Sequence, residues 1–258
     1  MLPTHRANTS SVNGRNRKQI PVQTFSQRKQ SSRMLDRVFN FKEMDFSSAL
    51  RQMIYLCISP QRVYRSIYQH KQTTNRWARQ DPAFIILLAG FLSVSGVAYG
   101  ISYGRSFTAV FILILRMVCV DFILAGLCVS ILCRLFANRF LKHQSIYAVD
   151  QSIEWSYAFD IHCNSFLPIF LILYVLQFFF LSILSTDSWI SLFIGNLMYL
   201  VAFSYYNYLT FLGYKALPFL AHTEIFLYPL PILISLFVLS LFGFNLSLHV
   251  IPWYFHTT

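Results

Sequence analysis

Five separate apolar stretches of about twenty residues, each the length that crosses a bilayer core, constrain this chain more than any other feature. They run from about Ala83 to Tyr103, Phe107 to Leu135, Phe166 to Leu184, Trp189 to Phe211 and Ile225 to Leu248. A soluble domain of 258 residues buries one core without needing such runs, and its charged share is normally about twice the 12% found here. The expected fold class is therefore all-α: a polytopic membrane protein with five transmembrane helices and cytosolic amphipathic helices before the first span.

Basic residues set the expected orientation. Of 21 Lys and Arg, 15 precede Asp81, while Arg134, Arg139 and Lys142 follow the second span and Lys215 follows the fourth. The positive-inside rule puts all of these in the cytosol. Five spans then leave the end from His249 to Thr258, which has no Lys or Arg, on the lumenal or outer side.

The domain reading is a disordered basic tail over 1–34, amphipathic or interfacial helices over 35–81, a five-helix bundle over 82–250 and a lumenal tail over 251–258. The stretch from Met1 to about Arg33 is too polar and basic to offset its ordering entropy, and holds no apolar run that would serve as a secretory signal. Insertion is then left to the first internal helix, where Asp81-Pro82 supplies a cap acceptor followed by proline. Cys57, Cys119, Cys128, Cys133 and Cys163 are an odd set without CxxC spacing and read as small core residues. Of two sequons, Asn8-Thr9-Ser10 is cytosolic in this topology and Asn245-Leu246-Ser247 abuts the membrane, so neither is expected to carry glycan.

Two amphipathic helices are expected before the membrane. Phe46, Ala49, Leu50, Met53, Ile54 and Cys57 follow helical spacing opposite Ser47, Ser48, Arg51 and Gln52. Ser59-Pro60 reads as a stop and a new start, after which Val63, Tyr64, Ile67 and Tyr68 oppose Arg62, Arg65, Ser66 and Gln69. A basic helix with an aromatic-rich apolar face beside a span lies at the lipid bilayer surface, each Lys or Arg near anionic lipid contributing about 1 kcal/mol. RNA is the rival partner, but no RNA-recognition, KH, zinc-finger or helix-turn-helix signature accompanies the charge.

Inside the spans, Asp121 is the one deep carboxylate, and Arg116 sits five positions before it. Five positions are about 140° around an α-helix, so the pair does not share a face. An intramembrane ionisable residue suggests function by default, either a clamp between helices or a proton or ion relay. Gly96, Gly100 and Gly104 form two overlapping GxxxG spacings that mark a packing face. Pro168, Pro229 and Pro231 are expected to kink the third and fifth spans.

The stretch from Glu154 to Asn164, read as a loop before the third span, is the densest group of polar and aromatic side chains. Glu154, Asp160 and His162 include metal-ligating types, yet no second His lies three or four positions away, and the commoner role is an interfacial helix with Trp155 and Tyr157 at headgroup depth. His70, His143 and His222 have no nucleophile beside them, and no GxSxG, phosphate-binding loop or dinucleotide fingerprint occurs. No enzyme activity, cofactor or metal is expected.

Several strings occur together: Met44-Asp45-Phe46, Ser59-Pro60-Gln61-Arg62-Val63-Tyr64-Arg65 and Trp77-Ala78-Arg79-Gln80-Asp81-Pro82-Ala83-Phe84. Glu154-Trp155, Tyr157-Ala158-Phe159-Asp160, His162, Thr210-Phe211-Leu212-Gly213-Tyr214, Ala216-Leu217-Pro218-Phe219-Leu220 and Leu227-Tyr228-Pro229 continue the series. Over roughly residues 40 to 250 the chain resembles the Unc-fifty family, Golgi membrane proteins similar to nematode uncoordinated-fifty and yeast Gmh. The resemblance implies a five-span protein of the Golgi membrane that supports trafficking, including delivery of nicotinic acetylcholine receptor subunits, and connects with large Arf guanine-nucleotide exchange factors. It also admits an inner nuclear membrane location and RNA binding, attributed to members of the family.

The expected partner surface is cytosolic and combines Arg62, Arg65, Trp77 and Arg79 with Trp155, Tyr157, Asp160 and His162. Interfacial anchoring and internal packing are the plainer roles for these residues. A lipid or ion transporter using Arg116 and Asp121, or an RNA-binding membrane tether, are the alternatives from other classes.

Overall fold

The computed structural model describes residues 44–74, 77, 81–142 and 151–256. The expected disordered tail over 1–34, Asn8, Arg79 and His143 lie outside the described residues. Helices α1 (Phe46–Ile58) and α2 (Pro60–Thr74) precede five helices long and apolar enough to cross a membrane. These are α3 (Ala83–Ser102), α4 (Phe107–Leu141), α5 (Trp155–Phe179), α6 (Trp189–Lys215) and a fifth crossing over Thr223–Ser240. The fifth opens as a 3-10 turn (Thr223–Leu227) and continues as α7 (Pro229–Ser240), before a separate α8 (Leu246–His256).

Local chemistry sets the ends of these helices. Asp81 Oδ1 accepts from the Ala83 amide at 3.0 Å while Oδ2 accepts from the Asp45 amide at 2.8 Å, so one carboxylate caps α3 and holds the start of α1. The α3–α4 turn is a Schellman closure: Gly104, at φ +59°, donates to the Ile101 carbonyl and Arg105 donates to that of Gly100. Ser106 then caps α4 through the Ala109 amide. The glycine series thus divides by role. A Cβ at Gly100 or Gly96 would meet Val110 at 2.4 Å or Ile114 at 2.8 Å across the helix pair, whereas Gly104 serves the turn.

Two of the expected boundaries change. The third span begins eleven residues earlier, at Trp155 and not Phe166, so the stretch read as a loop is the first three turns of α5. Asp160, His162 and Asn164 of this stretch are buried, and His162 finds its partner on another helix, with Nδ1 2.9 Å from the Tyr206 hydroxyl. The fifth apolar run is not one helix to Leu248. Gly243, at φ +126°, turns the chain, and α8 packs back on the bundle with Ile251 and Phe255 buried, so most of the expected tail is a docked helix. Phe255 stacks on Tyr99 with ring centroids 3.8 Å apart.

The turn into α8 is tied to α6. Asn196 Nδ2 donates to Ser240 Oγ and to the Phe244 carbonyl, each at 2.8 Å, and its Oδ1 accepts from the Leu246 amide at 2.9 Å. Asn245 donates to Ser191 Oγ at 3.2 Å, which buries the sequon's amide nitrogen. Among the described residues the main core runs through Leu88 and Leu92 of α3, Met117 and Phe122 of α4, Phe166 of α5, Leu209 of α6 and Phe255. No residue of α7 is buried, which leaves Ile232, Leu236 and Leu239 facing outward as a lipid-facing helix would.

Candidate functional site

Helix α1 presents three faces. Ala49, Met53 and Leu56 are buried on the bundle, Leu50, Ile54 and Ile58 point outward as an exposed apolar stripe, and Ser48, Arg51, Gln52 and Tyr55 line a recess. The wide apolar face expected of this helix is therefore shared between the bundle and its surroundings. Asp45 caps α1 through the Ser48 amide at 2.9 Å, and at the other end Tyr205 of α6 donates to the Leu56 carbonyl at 2.9 Å. Partial burial pushes the Cys57 thiol up from its ordinary pKa.

Helix α2 buries Val63 and Tyr64 and leaves Arg62 and Arg65 exposed. The recess between α1, α2 and the first turns of α5 has a volume of about 770 Å³. Arg51 and Arg62 line it together with Trp77, Asp81, Tyr157, Asp160 and Asn164. Such a recess offers guanidinium donors for a carboxylate or phosphate, beside aromatic walls.

Of the residues expected at a partner surface, Arg62 and Trp77 meet Tyr157 and Asp160 at this recess, the two pairs lying 80 to 98 positions apart in sequence. Trp77 packs between Tyr68 and Tyr157 at 6.1 and 6.0 Å, and the Tyr157 hydroxyl donates to the Gly213 carbonyl at 2.8 Å. Arg65 is exposed outside the lining. Trp155 is also exposed and stacks on Phe159 at 5.8 Å.

His162 lies inside the bundle. Its Nε2 is 3.2 Å from the Phe122 carbonyl, which can only accept, so Nε2 carries the hydrogen and Nδ1 accepts from the Tyr206 hydroxyl at 2.9 Å. Gly126 makes room for the ring, since a Cβ there would come within 2.4 Å of it.

Arg116 and Asp121 lie on a π-helical stretch of α4, Arg116–Leu124. Hydrogen bonds from i to i+5 bring residues five apart nearly above one another, so the wide angle expected from α-helical geometry does not apply. A second π-helical stretch, Phe170–Leu176 of α5, follows Pro168 and carries Tyr174. Asp121 Oδ2 accepts from the Tyr174 hydroxyl at 3.3 Å and from that of Tyr254 on α8, while the Arg116 guanidinium lies 4.4 Å from the Tyr254 ring. Asp121 thus ties α4 to α5 and α8. Asp121→Asn keeps an oxygen for both hydroxyls and is expected to melt near wild type. Asp121→Leu strands both, at about 1–3 kcal/mol for each buried unsatisfied group, and thermal unfolding in detergent separates the two variants.

Arg51, Gly126 and Tyr254 were not singled out from the sequence. Arg51 sits among ordinary polar residues of a helix face, Gly126 is a lone glycine in a membrane helix, and Tyr254 lies in what reads as a tail. Among the described residues no three His, Cys, Asp or Glu side chains come together as a metal would need.

Five membrane-crossing helices, with two amphipathic helices docked over a recess at one end, define a polytopic α-helical membrane protein. The chain belongs to the UNC-50 family, whose family model matches residues 34–255. It is 47% identical over 224 residues to Protein unc-50 homolog of Dictyostelium discoideum, covering 85% of each chain. The Danio rerio homolog is 44% identical over 227 residues, 86% of each chain. The Homo sapiens homolog is 45% identical over 216 residues, 83% of this chain and 82% of the relative. No solved structure matches.

Proposed function

We propose that this protein is a non-catalytic Golgi and early-secretory membrane protein that recruits a large Arf guanine-nucleotide exchange factor through the recess between α1, α2 and α5. By doing so it supports trafficking of membrane cargo such as nicotinic acetylcholine receptor subunits. The observation that carries the reading is the convergence of Arg51, Arg62, Trp77, Tyr157 and Asp160 on one recess walled by α1, α2 and the first turns of α5. Family membership supports the cellular setting.

In this reading the recess faces the cytosol and α8 packs at the lumenal half. Arg139 and Lys142 close α4 and Lys215 closes α6, and those ends cluster with Trp77 through Ala137, Tyr214 and Leu217, so basic residues gather at the recess end as the positive-inside rule requires. The exposed stripe of Leu50, Ile54 and Ile58 suits α1 to lie along the headgroups, holding the recess at the membrane surface.

The test uses the full chain in lipid nanodiscs and a purified Arf exchange factor. Arg51→Glu with Arg62→Glu is expected to weaken binding at least tenfold at unchanged melting temperature, since both side chains are exposed and removing a charge-assisted contact costs about 1.5–3 kcal/mol. Equal binding by wild type and this double variant would remove the recess from the reading.

A further inference from the structure

We propose that a second cavity, open-sided and lined by α4, α5, α6 and α8 within the membrane-crossing part of the bundle, binds a neutral membrane lipid that carries a hydroxyl group. The hydroxyl donates to Asp121, and the hydrocarbon lies along the cavity wall. This inference does not depend on recruitment of any protein.

The cavity has a volume of about 360 Å³. Its wall is mostly apolar, with Phe166, Ile169, Leu173, Phe203 and Val250 among the lining residues. The polar groups are concentrated and nearly all committed. His162 uses both ring nitrogens, on Tyr206 and on the Phe122 carbonyl, and Gln177 donates to the Tyr199 hydroxyl at 3.4 Å.

Two oxygens stand apart. Asp121 accepts both of its tyrosine hydroxyls on Oδ2, and no donor among the described residues reaches its Oδ1. Gln177 is 2% exposed, and its Oε1 likewise receives no hydrogen bond among them. Both side chains line the cavity. An acceptor facing an apolar space inside a membrane protein is stabilised by a donor brought there, so the cavity selects a ligand that donates.

Charge narrows the class. The Arg116 guanidinium stacks on the Tyr254 ring whose hydroxyl bonds Asp121, so a cation already stands near this carboxylate. A neutral donor therefore fits better than an amine. The volume lies toward the lower end of small-molecule sites, which favours a sterol or single-chain alcohol over a two-chain phospholipid. The π-helical stretches Arg116–Leu124 and Phe170–Leu176, a departure that recurs at functional sites, carry Asp121 and Tyr174 on facing walls.

The test reconstitutes the full chain in phosphatidylcholine vesicles with photoactivatable probes: a sterol, a long-chain alcohol, the matching long-chain amine and phosphatidylcholine itself. The alcohol or sterol probe is expected to label peptides from α4, α5 or α6 that line the cavity, and excess unlabelled alcohol should suppress this at least fivefold. Val129→Phe, which fills the cavity from α4, should abolish that labelling while outward-facing labelling by the phosphatidylcholine probe persists; Ala125→Phe repeats the test from another lining position. Stronger labelling of these peptides by the amine or by phosphatidylcholine would overturn the assignment, as would labelling that excess alcohol does not suppress. Suppression in wild type is read without any variant, so a misfolded variant leaves the proposal open to refutation.

Discussion

Gly126→Ala is expected to destabilise the bundle by about 2–4 kcal/mol, combining an overpacking cost of about 1–3 kcal/mol with loss of a hydrogen bond worth about 1 kcal/mol. The added Cβ would lie 2.4 Å from Cδ2 and 2.5 Å from Nε2 of His162. The ring can swing only toward the second cavity that it lines, and doing so gives up its hydrogen bonds. Phe122, Phe159 and Phe166 pack around it at centroid distances of 5.7 to 6.2 Å where His162 meets them, and both nitrogens are bonded. Relief otherwise requires α4 and α5 to separate, and these helices form one of the main packed interfaces of the bundle. Thermal unfolding in detergent checks this, and Gly90→Ala, where an added Cβ meets nothing within 4 Å, should leave the melting temperature unchanged.

Asn196→Leu is expected to have an effect of similar size, by releasing α8. Three hydrogen bonds from this one side chain hold the Ser240–Leu246 turn: two from Nδ2 and one to Oδ1. Interhelical hydrogen bonds in membrane proteins contribute on average about 0.6 kcal/mol each, with buried unsatisfied groups adding about 1–3 kcal/mol. The loss should total about 3–5 kcal/mol, and it acts on the helix whose Tyr254 reaches Asp121 and whose Phe255 stacks on Tyr99. Amide hydrogen exchange of the solubilised protein should therefore accelerate across 246–256 before it does in α4 or α5. Uniform acceleration throughout would mean that Asn196 supports the whole bundle and not α8 in particular.

The five crossings were legible because a bilayer demands long apolar runs, and Ala83, Phe107 and Trp189 begin helices where the sequence places them. Capping chemistry was legible too: Asp81 caps α3 and Gly104 sits in the turn that follows it. The start of α5 was not. Asp160, His162 and Asn164 look like residues for solvent, and their buried environment comes from distant parts of the chain, such as Tyr206 beside His162.

The end of the fifth span failed for the opposite reason. The apolar run continues through the turn, so hydropathy carries the helix past Ser240, and only Gly243 and Asn245 signal the reversal. At the candidate site, Arg62, Trp77, Tyr157 and Asp160 were picked out by residue type and by resemblance to a known family. Their meeting at one recess depends on the docking of α1 and α2 on the bundle, which amphipathic spacing alone leaves open between protein and lipid.

Recruitment through the recess is read out by proximity labelling in cells from an enzyme fused to the N-terminus. Wild type is compared with Arg51→Glu/Arg62→Glu and with Arg65→Glu, all at equal abundance and location. Wild type and Arg65→Glu should enrich a large Arf exchange factor and the double variant should lose it, because Arg65 lies outside the recess lining. Equal enrichment in all three, or none in wild type, would contradict recruitment through this recess.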